Sequence, residues 1–255
     1  MAFRGQVALV TGAASGMGRL ACRRLAAGGA RVAAVDVNEE GLRETAAGAP
    51  AIRACVQDVT DARAVAELVR RVEADLGPID RVMNAAAIMP TGLLLDQDTA
   101  LINRIMDINY GGTVNVTRAA LPGMLERGRG DLVNFASLAG WSPALHFGAY
   151  NASKFAVVAF SEVLHHENRG KGVRMVCVCP PPVDTPLLDQ AKSKPKILER
   201  MGKPIAPESV LDAIEAGLEA GQLFIFPGRG TRLNVLLRRL FPAFVWRLDH
   251  MAEGF

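Results

Sequence analysis

The chain alternates between short, almost unbroken apolar runs and longer stretches in which apolar residues recur every three or four positions. The short runs fall near residues 6–10, 31–35, 52–56, 79–83, 131–136, 173–178 and 223–226 and read as strands. Between them, residues 17–28, 39–47, 61–76, 98–127, 149–169 and 207–220 carry helical spacing. Strands without polar alternation are covered on both faces, and their regular exchange with helices predicts an α/β fold. The expectation is a doubly wound parallel sheet of about seven strands with helices on both sides. No linker rich in Pro, Gly or Ser divides the 255 residues, and half of them are apolar, so one domain spanning 1–255 is expected.

The turn after the first run carries the first chemical signal. Residues 11–18 read Thr-Gly-Ala-Ala-Ser-Gly-Met-Gly, and Leu20, Ala21, Leu25 and Ala26 then continue at helical spacing to Gly28 and Gly29. Glycines let the backbone approach a ligand closely, and a helix N-terminus offers unpaired amides to a pyrophosphate. The second run ends in Asp36, placed to meet an adenosine ribose. A carboxylate there accepts hydrogen bonds from both ribose hydroxyls and repels a 2'-phosphate, which favours NAD over NADP. Ser15 and Val37 bring no positive charge to offset it.

Tyr150 and Lys154 are the second signal. Their four-residue spacing puts a phenol and an ammonium on one helix face, with Ser137 thirteen residues upstream. Free tyrosine titrates near pH ~10, and a neighbouring cation favours the phenolate. A serine hydroxyl can donate to a substrate oxygen that gains negative charge.

With these pieces in order, the chain resembles the short-chain dehydrogenase/reductase family from about Arg4 to about Leu188. The glycine pattern of that family is met by Thr11, Gly12, Gly16 and Gly18, and the acid-valine pair that touches adenine by Asp58 and Val59. Ser137, Tyr150 and Lys154 fall on its catalytic positions, and Asn109 falls on the asparagine that completes a proton relay through a held water. The resemblance implies an NAD site lined by Gly12, Ser15, Gly16, Met17, Gly18, Asp36, Val37, Asp58 and Val59. It extends along Asn84, Ala85 and Ala86 to Tyr150, Lys154, Pro180, Val183 and Thr185. It also implies pairing of long helices across subunits in a dimer or tetramer. Two motifs depart from the pattern. Asn84-Ala85-Ala86-Ala87 stands where the family has Asn-Asn-Ala-Gly, and Pro180-Pro181-Pro182 stands where it has Pro-Gly. Ala87 lacks the freedom of glycine, and Pro181 can neither donate an amide hydrogen bond nor take a positive φ, so the nicotinamide wall is expected to be reshaped.

The remaining sequence refines the picture. Residues 141–147 separate the serine from the tyrosine and, being largely apolar, are expected to line a substrate pocket. Its expected lining is Ser137, Ala139, Leu145, Phe147, Tyr150, Pro181, Leu187 and Leu188. That content implies a hydrophobic secondary alcohol of steroid, lipid or aryl type, or the matching ketone. An NADP-dependent reductase, a catalytically weak scaffold and a peripheral membrane protein stay open as alternatives. Residues 186–206 are expected to form a cover over the substrate. Residues 229–255 are expected to form an amphipathic tail, kinked at Pro242, that packs on a protein surface or, less favourably, on a membrane. The 29 basic and 26 acidic residues nearly balance, which argues against nucleic-acid binding. The four cysteines lack metal-ligand spacing, and no metal is assigned to the histidines. Buried thiols and the absence of an N-terminal signal imply a cytoplasmic protein.

Overall fold

The computed structural model describes residues 3, 5–191, 195–196, 198 and 202–254. In chain order the strands are β1 (Val7–Thr11), β2 (Arg31–Asp36), β3 (Ile52–Val56), β4 (Arg81–Asn84), β5 (Gly130–Phe135), β6 (Val173–Val178) and β7 (Phe224–Ile225). All seven pair in parallel in the order β3-β2-β1-β4-β5-β6-β7. This is the expected doubly wound sheet, and β1 is its turning point because the chain builds outward from it in both directions.

The helices are α1 (Gly16–Ala27), α2 (Glu39–Ala46), α3 (Ala62–Leu76), α4 (Thr99–Met106), α5 (Gly112–Glu126), α6 (Gly148–Glu167), α7 (Pro207–Glu219), α8 (Thr231–Leu240) and α9 (Pro242–Glu253). Successive side chains of a strand point to opposite faces, and β1 shows the consequence. Ala8 and Val10 enter a core with Ala21, Leu25 and Leu42 of α1 and α2 and Ile214 of α7. Val7 and Leu9 enter a second core with Val65, Leu68 and Val72 of α3 and Val116 of α5. Continuous apolar strands are therefore required, and β1 is buried throughout.

Two long helical expectations are altered. The stretch expected as one helix over 98–127 is α4 and α5 joined by a wide π-helical turn at Asp107–Gly111. The tail expected as one helix kinked at Pro242 is two helices, α8 and α9, with the break at Phe241 (φ −131°, ψ 56°) and Pro242 opening the second. Proline fits there because a first-turn residue has no intrahelical acceptor for its missing N–H. The two helices turn a mixed face outward: Leu233, Leu236, Leu240, Phe241, Phe244 and Met251 are exposed. Val235, Asp249 and Ala252 are buried. No described helix is long and apolar enough to cross a membrane. The expected cover over 186–206 lies in part outside the described residues, at 192–194, 197 and 199–201.

The edge of the sheet opposite the site is held by charge. Arg81, fully buried on β4, donates through Nε and Nη2 to Asp131 of β5 at 3.0 and 2.7 Å and through Nη1 to Glu215 of α7. Arg174 on β6 donates to the other Asp131 oxygen at 2.7 Å. Removing one partner of such a network strands a buried charge. Asp131→Ala is expected to destabilise the fold by about 3–5 kcal/mol, read as the shift of the urea midpoint. Arg43→Ala, which breaks only exposed pairs with Glu39 and Glu40, is expected to cost under about 1 kcal/mol.

Candidate active site

The carboxyl ends of the central strands open onto two adjoining cavities. One is lined by the glycine turn (Gly12, Ser15, Gly16, Met17, Gly18), the end of β2 (Asp36, Val37), the loop after β3 (Asp58, Val59), the loop after β4 (Ala85, Ala86, Ala87) and Thr185. The glycines are dictated by space. A Cβ on Gly18 would lie 2.1 Å from the Gly12 carbonyl oxygen, and Gly12, at φ +66°, would place one 2.7 Å from the Ala85 carbonyl oxygen. Ser15 precedes α1 in an extended conformation and its side chain makes no capping bond, so the first-turn amides of α1 are left without a side-chain acceptor. Asp36 accepts from the Ala14 and Asn38 amides at 3.0 Å each, which fixes its carboxylate in the cavity wall. A carboxylate with two oxygens keeps acceptor sites beyond these two bonds. Burial works to raise the Asp58 carboxyl, but hydrogen bonds from Thr60 and from Arg104 outweigh it and hold the group below its ordinary range. Open amides at one end and a fixed carboxylate at the other fit a dinucleotide with unmodified ribose hydroxyls.

The second cavity, of about 150 Å³, shares Met17, Ala85, Ala87, Thr185 and Leu187 with the first. Ser137, Tyr150 and Lys154 stand together in its wall. Ser137 follows β5, and its Oγ accepts from the Ala139 amide at 3.1 Å and meets the Tyr150 hydroxyl in a hydrogen bond. Tyr150 and Lys154 lie on α6, with Nζ 5.6 Å from the phenol ring centre. Nζ donates to the Phe135 carbonyl at 2.8 Å. Burial pushes the phenol up to about 12, against the Ser137 hydrogen bond. It brings the ammonium down to about 8, against the Cys177 and Cys179 thiols. The cation expected to favour the phenolate is thus present, but desolvation is the larger influence on both groups.

Several expected positions are relocated. Asn84 does not line either cavity: its Nδ2 donates to Thr117 Oγ1 at 3.0 Å and Asn134 Oδ1 at 2.9 Å, bracing β4 against β5 and α5. Leu145 does not line the substrate cavity, and neither do Trp141 and His146 from the same segment. Trp141 instead packs edge-on against Phe224 and Phe226 and donates to the Cys179 sulfur at 3.3 Å. His146 takes a positive φ of 66° and lies 3.7 Å from Glu253 of α9. Ala139, Phe147, Pro181, Leu187 and Leu188 do line that cavity, as do Pro180 and Val183. Asn109 lies in the π turn, fully buried; its Oδ1 accepts from the Ile88 amide at 2.8 Å and its Nδ2 donates to the Ile88 carbonyl and to Ser153 Oγ, each at 3.0 Å.

Other lining residues are not among those named singly from the sequence, although Ser142, Pro143 and Ala144 belong to the 141–147 segment expected to line the pocket. Gln57, Arg104 and Gln190 reach the first cavity, and Met89, Ser142, Pro143, Ala144 and Asn151 reach the second. The tail was expected to cover a surface, and Asn234 of α8 and Val245 and Asp249 of α9 line the second cavity. Asn151 follows Tyr150 directly on the same helix. Among the described residues no group of His, Cys, Asp and Glu could hold a metal ion.

The comparisons with known proteins agree with this geometry. The family profile described as short chain dehydrogenase matches residues 6–196. The chain is 36% identical over 189 residues to the 2-dehydro-3-deoxy-L-rhamnonate dehydrogenase (NAD(+)) of Sphingomonas sp. (strain SKA58), covering 74% of this chain and 76% of that protein. It is 32% identical over 260 residues to the protein SadH of Mycobacterium tuberculosis, covering 96% and 94%. Other relatives are longer, and the match spans 17% of one and 62% of another. The fold superposes on the crystal structure of a short-chain dehydrogenase/reductase from Burkholderia phymatum in complex with NAD, at a TM-score of 0.85 and 26% identity over 96% of each chain. A sequence match that runs from the first strand past the sixth, over a sheet shared nearly end to end, makes this chain a member of the short-chain dehydrogenase family.

Proposed function

We propose that the chain is an NAD-dependent dehydrogenase that oxidises a secondary alcohol in a largely apolar pocket, or reduces the matching ketone. The observation that carries this reading is the meeting of the two cavities at Met17, Ala85, Ala87 and Thr185, with Ser137, Tyr150 and Lys154 in the wall beyond. NAD in the names of the Sphingomonas relative and the Burkholderia structure supports the cofactor, as does Asp36 in the wall of the first cavity. When bound, the dinucleotide accepts or returns the hydride.

The chain's own residues move the proton and hold the oxygen. Tyr150 takes the proton from the alcohol hydroxyl during oxidation and returns it during reduction. Ser137, hydrogen-bonded to the phenol, donates to the same substrate oxygen and offsets the charge gathering there. Lys154, held by the Phe135 carbonyl, places a cation beside the phenol and would hold the dinucleotide's ribose. Asn109 bonds to Ile88 and Ser153, and Ser153 in turn donates to the Tyr150 carbonyl at 2.8 Å. The asparagine therefore acts as a positioning residue for the helix that carries the phenol, beside its expected part in a relay. The pocket lining, with Phe147, Leu187 and Leu188 beside Met89, supports a hydrophobic skeleton. The acid in the Sphingomonas relative's substrate is not carried over. Among the described residues Lys154 is the only lysine or arginine lining the pocket, and its ammonium is held by Phe135.

Tyr150→Phe is expected to lower kcat/KM by about 10²- to 10⁴-fold at unchanged NAD affinity, measured by NADH formation and by dinucleotide titration. Because oxidation needs the phenol deprotonated, kcat/KM for oxidation should rise as pH increases above neutrality. That for reduction, which consumes the phenol proton, should fall. Asp36→Ala should shift the NAD-to-NADP preference by about 10- to 100-fold towards NADP, since it removes charge-assisted bonds to the ribose and the repulsion of a 2'-phosphate.

Lys154 also carries a stability signature. Its folded pKa, about 8, lies below the ordinary 10.5, so the cost of burying its charge is full below pH 8 and is relieved as pH rises from 8 to 10.5. Lys154→Met should therefore abolish turnover yet stabilise the fold near neutrality by about 1–2 kcal/mol after the lost Phe135 bond is counted. Denaturant midpoints measured across pH should show that advantage shrinking above pH 8.

A further inference from the structure

The apolar wall of the substrate cavity is interrupted by acceptors that the proposed proton chemistry does not use. Asp249 reaches it from α9; the residue is 6% exposed, and among the described residues its carboxylate makes no hydrogen bond or ion pair. Asn151 reaches it from α6 and is 5% exposed. The Asn151 amide nitrogen donates to the Ala144 carbonyl at 2.9 Å, which fixes the orientation of the amide and leaves Oδ1 as the free end. That oxygen is buried without a partner, and so is the Oδ1 of Asn234 on α8, in the same wall. A buried polar atom left unpaired costs more than an ordinary hydrogen bond returns, so native structures fill such positions with protein, water or ligand.

The chemistry of these groups is one-sided. Oδ1 atoms accept, and so does a carboxylate, while the pocket's lysine is already engaged by Phe135. Burial raises the Asp249 carboxyl, with Glu253 adding to it and Arg238 and His250 opposing. A ligand that presents hydrogen-bond donors satisfies these groups, and one that presents a carboxylate beside them sets like charge against Asp249 and an acceptor against the Asn151 oxygen.

We propose that Asp249 and Asn151 form an anchor for a second hydroxyl of the substrate, so that the chain acts on apolar alcohols bearing a remote hydroxyl and discriminates against those bearing a carboxylate there. The proposal rests on the dehydrogenase reading, and it assigns to the C-terminal helices a part in specificity. Asp249 is a binding residue in this scheme, and the proton passes through Tyr150 as before.

The test uses the full chain with NAD and two ring series, cyclohexanol and decalinol. Each is supplied as the simple alcohol, as the diol with a remote second hydroxyl, and as the alcohol with a carboxylate at that carbon. The expected result is a kcat/KM for the diol about 10- to 100-fold above that of the simple alcohol in at least one series, with the carboxylate poorest. In Asp249→Leu the diol-to-alcohol ratio should collapse towards one. In Asp249→Asn, which keeps an acceptor, it should be intermediate. NAD titration of each variant reports whether the fold is intact. A simple alcohol used as well as the diol, a preferred carboxylate, or an unchanged ratio in Asp249→Leu overturns the anchor while leaving the dehydrogenase reading in place. If no alcohol is turned over, the dehydrogenase reading fails, and calorimetry of diol against simple alcohol still decides the anchor. Tighter diol binding that is lost in Asp249→Leu supports it, and equal binding overturns it.

Discussion

Parallel pairing of β1 with both β2 and β4 is the constraint on which the rest of the structure depends. Parallel strands cannot be joined by tight turns, so each connection crosses over through a helix and brings the next strand in with the same orientation. All the carboxyl ends then fall on one edge. Because the chain builds outward from β1 in opposite directions, the connections that follow β1 and β4 part company there and leave a crevice. Gly12, Asp36, Ala85 and Ser137, far apart in sequence, come to that one edge because each follows or ends a parallel strand.

The opposite edge absorbs the cost of keeping the sheet in register. Arg81, Asp131, Arg174 and Glu215 tie β4, β5, β6 and α7 together, and Asp80 accepts the Gln6 and Val7 amides at 2.7 and 3.2 Å just before β1. The site edge is organised in the opposite way. It buries Tyr150 and Lys154 fully enough to shift both away from their charged forms, with one carbonyl bond and two thiols around the ammonium. Such a pair is costly to the fold: burial makes the phenol hold its proton more firmly than free tyrosine and the ammonium release its proton more readily.

Both departures from the family pattern fall in the cavity walls. Ala87 lines both cavities at their junction, and Pro181 lines the substrate cavity, with Pro182 and Val183 pairing to Ile205. Pro180 keeps its carbonyl in use, accepting from the Leu138 amide at 2.8 Å, so the loss of donors in the Pro180–Pro182 run costs no bond that this loop needs. The wall is completed from a distance by α8 and α9, whose outward faces mix apolar and basic residues while Val245 and Asp249 turn inward.

By itself the sequence determined the fold class, the strand positions to within a residue or two, the glycine turn, and the Ser137, Tyr150 and Lys154 group. The strands, the turn and the Tyr150–Lys154 pair rest on local rules: continuous apolar runs for strands buried on both faces, glycine where a Cβ has no room, and helical spacing for two side chains on one face; Ser137 joins them through the resemblance to the family. Tertiary structure alone decided which side chains face the cavities. Leu145 belongs to the segment expected to line the pocket yet misses the cavity, and Asn84, legible in the sequence as a brace of the sheet, holds that place without lining the cofactor cavity. The π turn that seats Asn109 leaves no mark in apolar periodicity, since one widened turn shifts the pattern by a single residue. Asp249 lies more than ninety residues beyond Tyr150, and its place in the same cavity follows from how α8 and α9 fold back over the sheet edge. A contact of that range is set by packing between elements and has no local pattern to announce it.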